Sequence, residues 1–260
     1  MEYLVVCFVA VLVSALTLFS GFGLGTVLMP AFALFFPIPV AIAATAVVHL
    51  ANNIFKVFLV GRKADWGVVA RFAIPGAIAA LIGAALLNLF AHLSPLCAYQ
   101  LGGQKYDVTV VKLVIGMLII GFAFFELLPR FRRMSFDRKY LPLGGLLSGF
   151  FGGLSGNQGA LRSAFLLKTG MEKEAFIGTG TVSAVIVDVA RMLVYGLSFY
   201  TSKFADLGGI WPLVMAATLA AFLGAFMGKR LVKTITLGAI QLLIGIMMVI
   251  IGLGMAIGLL

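Results

Sequence analysis

The sequence predicts an all-α polytopic membrane protein built as two inverted repeats of about five hydrophobic segments each, with broken or re-entrant helical hairpins meeting at the midplane. Three observations predict it. Of 260 residues, 62% are hydrophobic and 11% charged, with a mean hydropathy of +1.15. A water-soluble domain carries about 25% charged residues, so this chain has too little polar surface to face water on all sides. Apolar runs long enough to span a bilayer, about 20 residues, recur along the whole chain. Glycine clusters interrupt shorter apolar runs at corresponding places in the two halves.

Full-length runs lie near 3–22, 40–59, 68–91, 108–128, 175–197, 209–227 and 237–260, with shorter ones near 24–36, 141–155 and 157–168. The first run has the length of a signal peptide, but no basic stretch precedes it and no small-x-small cleavage pattern follows, so it is expected to remain in the mature chain. The run 24–36 follows Gly21, Gly23 and Gly25; Gly152, Gly153, Ser155 and Gly156 separate 141–155 from 157–168. The chain is expected to turn at each cluster between two half-length helices. Irregular backbone at membrane depth survives only when packed inside protein or beside a wet cavity, so both hairpins belong at the centre of the bundle. These runs leave no room for a soluble catalytic or nucleotide-binding domain.

Lys and Arg number 19 against 9 Asp and Glu, a formal net charge of +10. The excess falls in short loops between apolar runs, which points to membrane orientation and away from a nucleic-acid partner. The loop with Arg130, Arg132, Arg133, Arg138 and Lys139, that with Arg62 and Lys63, and that with Lys229, Arg230 and Lys233 are expected in the cytoplasm. Threading the spans between them puts 168–174 inside, and 92–107, 198–208 and both termini outside. The expected location is the cell (inner) membrane, with multiple passes. Cys7 and Cys97 are too few for a metal motif, and two histidines with one deep carboxylate make no ligand set, so no metal and no cofactor are expected.

The halves divide at 1–135 and 136–260. The first reads Gly21-Phe-Gly-Leu-Gly25, a short apolar helix, a turn at Pro37 and Pro39, and a long helix carrying Thr45, His49, Asn52, Asn53 and Lys56. The second reads Gly152-Gly-Leu-Ser-Gly156, a short helix, a turn at Lys168 to Glu174, and a long helix carrying Thr179, Thr181, Ser183, Asp188 and Arg191. A shift of 135 positions sets Asn53 on Asp188, Lys56 on Arg191 and Gly61 on Gly196. Five segments per half is an odd number, so the second half must run upside down relative to the first, a plan used by many secondary transporters.

The Gly-rich stretch and apolar run to Pro30, and the run Gly152-Gly-Leu-Ser-Gly-Asn-Gln-Gly-Ala-Leu-Arg162-Ser-Ala-Phe with its following Thr and Asp-x-x-Arg, resemble the TauE/SafE family. The likeness covers nearly the whole chain. It implies an anion permease with two duplicated halves, of a kind associated with sulfite and other sulfur-containing or organic anions. The second half departs from the usual glycine run ending in Pro by carrying Asn157, Gln158, Arg162 and Ser163, which leaves the substrate open.

A charge at the bilayer centre costs about 2.5–3.5 kcal/mol on insertion scales, so each requires a partner, a wet cavity or a function. Arg162 lies six residues past Gly156, roughly 9 Å along a helix, either tied to backbone carbonyls of the opposing hairpin or gripping substrate oxygens through its planar fork. Asp188 and Arg191, three apart, share a face and can form a local ion pair. Lys56 either snorkels toward Arg62 or joins the stripe of Thr45, His49 and Asn52 on one helix face, which should point into the bundle. Lys56, Arg162 and Arg191 against Asp188 leave the interior positive, and short helices starting after Gly25 and Gly156 would aim N-terminal N–H groups at the midplane. Both effects favour an anion.

The expected function is secondary transport of small anions by alternating access. Arg162 would hold the anionic group, the hairpin amides of Gly23, Gly25 and Thr26 and of Gly156, Asn157, Gln158 and Gly159 would complete the cradle, and Asn52, Asn53 and Gln158 would orient it. Asp188, Arg191, His49 and Lys56 supply coupling or cavity charge, with a proton or sodium as coupling ion. The expected partners are a small anionic substrate, the lipid bilayer and a second copy in a homodimer. A passive anion channel is the first alternative. The second is an intramembrane serine protease, since Gly153-Leu-Ser155-Gly matches a Gly-x-Ser-Gly pattern, but His49 and His92 both lie upstream. The absence of a Gly-x4-Gly-Lys-Ser/Thr loop disfavours an ATPase.

Overall fold

The computed structural model describes residues 1–20, 24–128, 134–199, 209–231 and 237–260. Gly21, Gly23, Arg130, Arg132, Arg133, Lys203, Asp206 and Lys233 therefore lie outside the described residues, as do the side chains of Lys229 and Arg230. In a bilayer every backbone N–H and C=O must find its partner within the segment, and the apolar runs accordingly fold as helices. These are α1 (Glu2–Ser20), α2 (Gly25–Ala33), α3 (Ile38–Val60), α4 (Trp66–Ala91), α5 (Val110–Leu127), α6 (Leu141–Ser155), α7 (Gly159–Leu166), α8 (Lys173–Phe199), α9 (Ile210–Leu231) and α10 (Leu237–Ala256). Four of the described segments, Ile38–Lys63, Trp66–Ala91, Lys173–Gly196 and Ile210–Gly228, are long and apolar enough to cross a membrane by length and composition. With nine residues in α2 and eight in α7, the half-length helices reach only about 12–14 Å, less than half a hydrocarbon core.

Local sequence sets the ends. Pro37 stands at the N-cap position of α3 with Pro39 in the first turn, Asp65 caps α4 by accepting from Gly67 N at 2.9 Å and Val68 N at 3.1 Å, and Thr109 caps α5 by accepting from Lys112 N at 3.2 Å. At the other extreme α6 stops at Gly156, whose φ of +80° places it in the left-handed region that a side chain would resist. That single turn releases the chain into α7.

Within the bundle α4 packs along α6, α1 along α9, and α5 along α10; α8 lies against both α3 and α4, and α3 also meets α9. Small residues permit the close pairs. A Cβ at Gly149 of α6 would overlap the carbonyl of Gly76 on α4, and one at Gly228 of α9 would overlap the carbonyl of Ala15 on α1. Large apolar side chains such as Phe8, Phe58, Ile74, Leu193, Leu219 and Ile250 are exposed, as expected of a surface that faces lipid.

Two short strands interrupt the all-helical pattern in the segment 92–107, read from the sequence only as an external loop. Strands β1 (Cys97–Leu101) and β2 (Gln104–Val108) pair antiparallel through Gly102 and Gly103, both at positive φ as a tight two-residue hairpin turn demands. Tyr99 stacks on its cross-strand partner Tyr106, and its hydroxyl donates to the Ile257 carbonyl at 2.7 Å. Lys112 Nζ donates to the Gly258 carbonyl at 3.1 Å, so hairpin and helix start together clasp the end of α10. Elsewhere, Lys63 pairs with Glu174, Arg138 with Asp65 at 3.7 Å and Lys168 with Asp137 at 3.9 Å. These pairs bring together Lys63, Arg138 and the 168–174 loop, all expected on the cytoplasmic side.

Candidate functional site

The polar residues of α3 and α8 meet at the middle of the molecule. Thr45, His49, Asn52, Asn53 and Lys56 on α3 are all buried, as are Ser183, Asp188 and Arg191 on α8. Spacings of three and four residues place Thr45, His49, Asn52 and Lys56 on one face of α3 and Asp188 with Arg191 on one face of α8, and the two helices pack against each other.

Asp188 is the hub. His49 Nδ1 stands 2.6 Å from its Oδ2 and Asn53 Nδ2 donates to the same oxygen at 3.0 Å. Its Oδ1 takes Gln158 Nε2 at 2.9 Å and the Arg191 guanidinium at 2.7 Å. A carboxylate with no exposure survives in such surroundings because each oxygen is met by donors and its charge by a cation. An ionised Asp188 can only accept, so it favours the His49 tautomer that carries its proton on Nδ1. Arg191 extends the network by donating to the Gly152 carbonyl at 3.1 Å, and the Tyr195 hydroxyl donates to the Gly153 carbonyl. Through these bonds α3, α8 and the end of α6 are joined at one level.

The hairpin tips touch there. A Cβ at Gly25, the first residue of α2, would lie 3.0 Å from the carbonyl oxygen of Gly156. Thr26 follows, buried, and Gly159 begins α7 just beyond Asn157 and Gln158. Gly23 lies outside the described residues.

Other polar groups at this level remain without partners among the described residues. They are the Arg162 terminal nitrogen Nη1, both side-chain polar atoms of Asn157, Thr45 Oγ1, Ser183 Oγ and Arg191 Nε, while Arg191 Nη2 makes the ion-pair contact with Asp188 without a hydrogen bond. Each belongs to a buried residue, with Arg162 the most accessible at 8% exposed. A buried donor or acceptor left unsatisfied costs about 1–3 kcal/mol, so a cluster of them marks a place shaped for something else. Arg162 lies against α8 at Gly180, where a Cβ would stand 3.7 Å from its Nε, in ordinary contact. Of the described buried groups, three are cationic, Lys56, Arg162 and Arg191, and one is a carboxylate, Asp188, leaving two positive charges in excess with His49 neutral.

Several residues named from the sequence are engaged elsewhere. The amides of Asn53 and Gln158 are committed to Asp188, and Asn52 lies against Ser14, whose Oγ donates to its oxygen at 3.2 Å. Thr179 Oγ1 accepts from the Asp65 backbone N at 2.8 Å, and Thr181 bonds back to the Ile177 carbonyl at 2.8 Å, so both serve helix geometry. Lys56, 5% exposed, lies in the interior and does not snorkel. Ser155 donates to the Phe151 carbonyl at 2.9 Å, while His49 is held by Asp188, an arrangement that gives the serine no base. Sequence reasoning missed Tyr195, Ser14 and Ser148, the last donating to the Gln158 carbonyl at 2.9 Å. Tyr195 had a signal: it stands four residues beyond Arg191 and seven beyond Asp188 on the same face.

A separate groove of about 220 Å³, lined by residues including Met117, Phe122, Phe125, Phe151 and Leu161, is apolar and offers an anion no donor. Compared with known proteins, residues 6–255 match the family model described as Sulfite exporter TauE/SafE. No curated protein and no solved structure matches the chain.

Proposed function

The chain belongs to the sulfite exporter TauE/SafE family, whose members are membrane transporters, and from that premise we propose that it is a secondary transporter of small oxyanions, sulfite or organosulfonates, working by alternating access. The observation that carries this reading is the sign of the buried charge: among the described residues Arg162 and Lys56 are buried without a carboxylate of their own, while Asp188 is taken by Arg191. A cation site would require the opposite sign. Arg162 is the anchor for the anionic group, Asn157 supplies a donor and an acceptor within reach of the same tip, and the backbone N–H groups opening α2 and α7 add favourable dipoles.

The packing supports a duplicated, inverted plan. Exchanging α1–α5 for α6–α10 converts the α4–α6 pair into α9–α1 and the α4–α8 pair into α9–α3, and leaves α3–α8 and α5–α10 as themselves. Asn53 and Asp188, separated by 135 positions, bond to each other, as matched residues do when both stand on a two-fold axis. Alternating access is favoured over a passive channel because every charged group at the centre is buried. A conducting pore would leave them in water. Rocking the halves about this axis would open the centre to one face at a time. Coupling to a proton or to sodium, assembly as a homodimer and residence in the inner membrane complete the proposal.

A thermal-shift screen of the purified protein against sulfite, sulfate, sulfoacetate, taurine and short carboxylates tests it. A ligand present at 100 times its Kd is expected to stabilise the native state by about 2.7 kcal/mol. Arg162→Ala should abolish that shift; an unchanged response in this variant would remove Arg162 from the site, and no response to any anion in the wild type would overturn the reading.

A further inference from the structure

Lys56 stands one turn beyond Asn52 on the inward face of α3. Its nearest polar partner is Asn52: with the amide oriented so that its nitrogen reaches the Ala221 carbonyl at 3.3 Å, its oxygen lies 3.3 Å from Lys56 Nζ. Among the described residues no carboxylate pairs with Lys56. On α8, a Cβ at Gly180 would lie 3.7 Å from Arg162 Nε, and one at Gly178, two residues earlier, would meet the carbonyl of Val60, one turn past Lys56 on α3. Lys56 and Arg162 are therefore buried at the same end of the α3–α8 contact, while Asp188 is already neutralised by Arg191 at 2.7 Å. Repulsion between cations is poorly screened away from water.

We propose that Lys56 sets the charge preference of the site, so that doubly charged small oxyanions are taken ahead of singly charged ones of the same shape. This rests on the anion-transport reading and deepens it by assigning the charge of the substrate. A dianion compensates Lys56 and Arg162 together, whereas a monoanion leaves one cation unmatched in the interior. The dianion sheds a more costly hydration shell on entry, and the second cation is what offsets that cost.

The probes are sulfate and methanesulfonate, tetrahedral sulfur oxyanions that differ by one charge, titrated calorimetrically into the full chain in lipid nanodiscs. The wild type is expected to bind sulfate at least about 10-fold more tightly than methanesulfonate, and Lys56→Met to lower that ratio by about 10-fold, chiefly through sulfate. Equal affinities in the wild type, or an unchanged ratio in Lys56→Met, would overturn the proposal. Loss of methanesulfonate binding in Arg162→Ala separately tests the anion site. If neither ion binds the wild type, both readings fail; if both bind with no charge preference, only the role of Lys56 does.

Discussion

The long central helices of the two halves carry a cation at corresponding places and treat it differently. On α8, Arg191 is held by Asp188 at 2.7 Å and by the Gly152 carbonyl at 3.1 Å. On α3, Lys56 sits where Arg191 would, with Asn52 as its polar neighbour, and Asn53 occupies the place of the carboxylate. One cation is locked into the scaffold and the other is left electrostatically open. In the duplicated plan proposed above, the two positions divide the work: Arg191 holds the end of α6 in place, and Lys56 keeps the interior positive.

The contrast breaks most severely when Asp188 is removed. Asp188→Ala leaves Arg191 without a counterion and strands the donors of Asn53 and Gln158, and breaking a buried pair in this way costs about 3–5 kcal/mol. Unfolding of the detergent-solubilised variant should show that loss, and wild-type stability would mean that the network is not a structural lock. Away from the centre the halves should behave alike. Gly149→Ala on α6 and Gly228→Ala on α9 each push a methyl into a facing carbonyl, so both should lose about 1–3 kcal/mol in the same unfolding measurement. A large cost on one side only would argue that the α4–α6 and α1–α9 contacts are not equivalent. The finest test exchanges Asn53 and Asp188, the two residues set on the proposed axis. Asn53→Asp places a second carboxylate 3.0 Å from Asp188, and adding Asp188→Asn should recover part of the loss, with a coupling of about 0.5–3 kcal/mol in a double-mutant cycle. Strict additivity would show that the two side chains do not sense each other.

The helical skeleton was legible because lipid offers the backbone no partner, so composition forces helices and glycine clusters mark interruptions. Gly156, read as a tip, does end α6 at a positive φ, and Gly25 begins α2. The side-chain network was less legible, because hydrogen bonding between distant segments leaves no periodic trace. Nothing in the spacing pairs His49 with Asp188 across 139 positions, or tells whether Lys56 turns outward or inward. Thr179 and Thr181 carry the same chemistry as Ser183, yet the first caps Asp65 and the second bonds within its own helix. The hairpin at 97–108 did carry a signal, Gly102-Gly103 between two tyrosines, which the dominance of apolar helices obscured.

That hairpin has a practical consequence. Cys97 opens β1 with its thiol exposed, while Cys7 is half-buried. Because Tyr99 of the same strand grips the Ile257 carbonyl, the thiol reports on the segment just past α10 as well as on its own strand. Reacting intact cells with an impermeant maleimide would therefore reveal, with no engineered tag, which side of the bilayer both occupy.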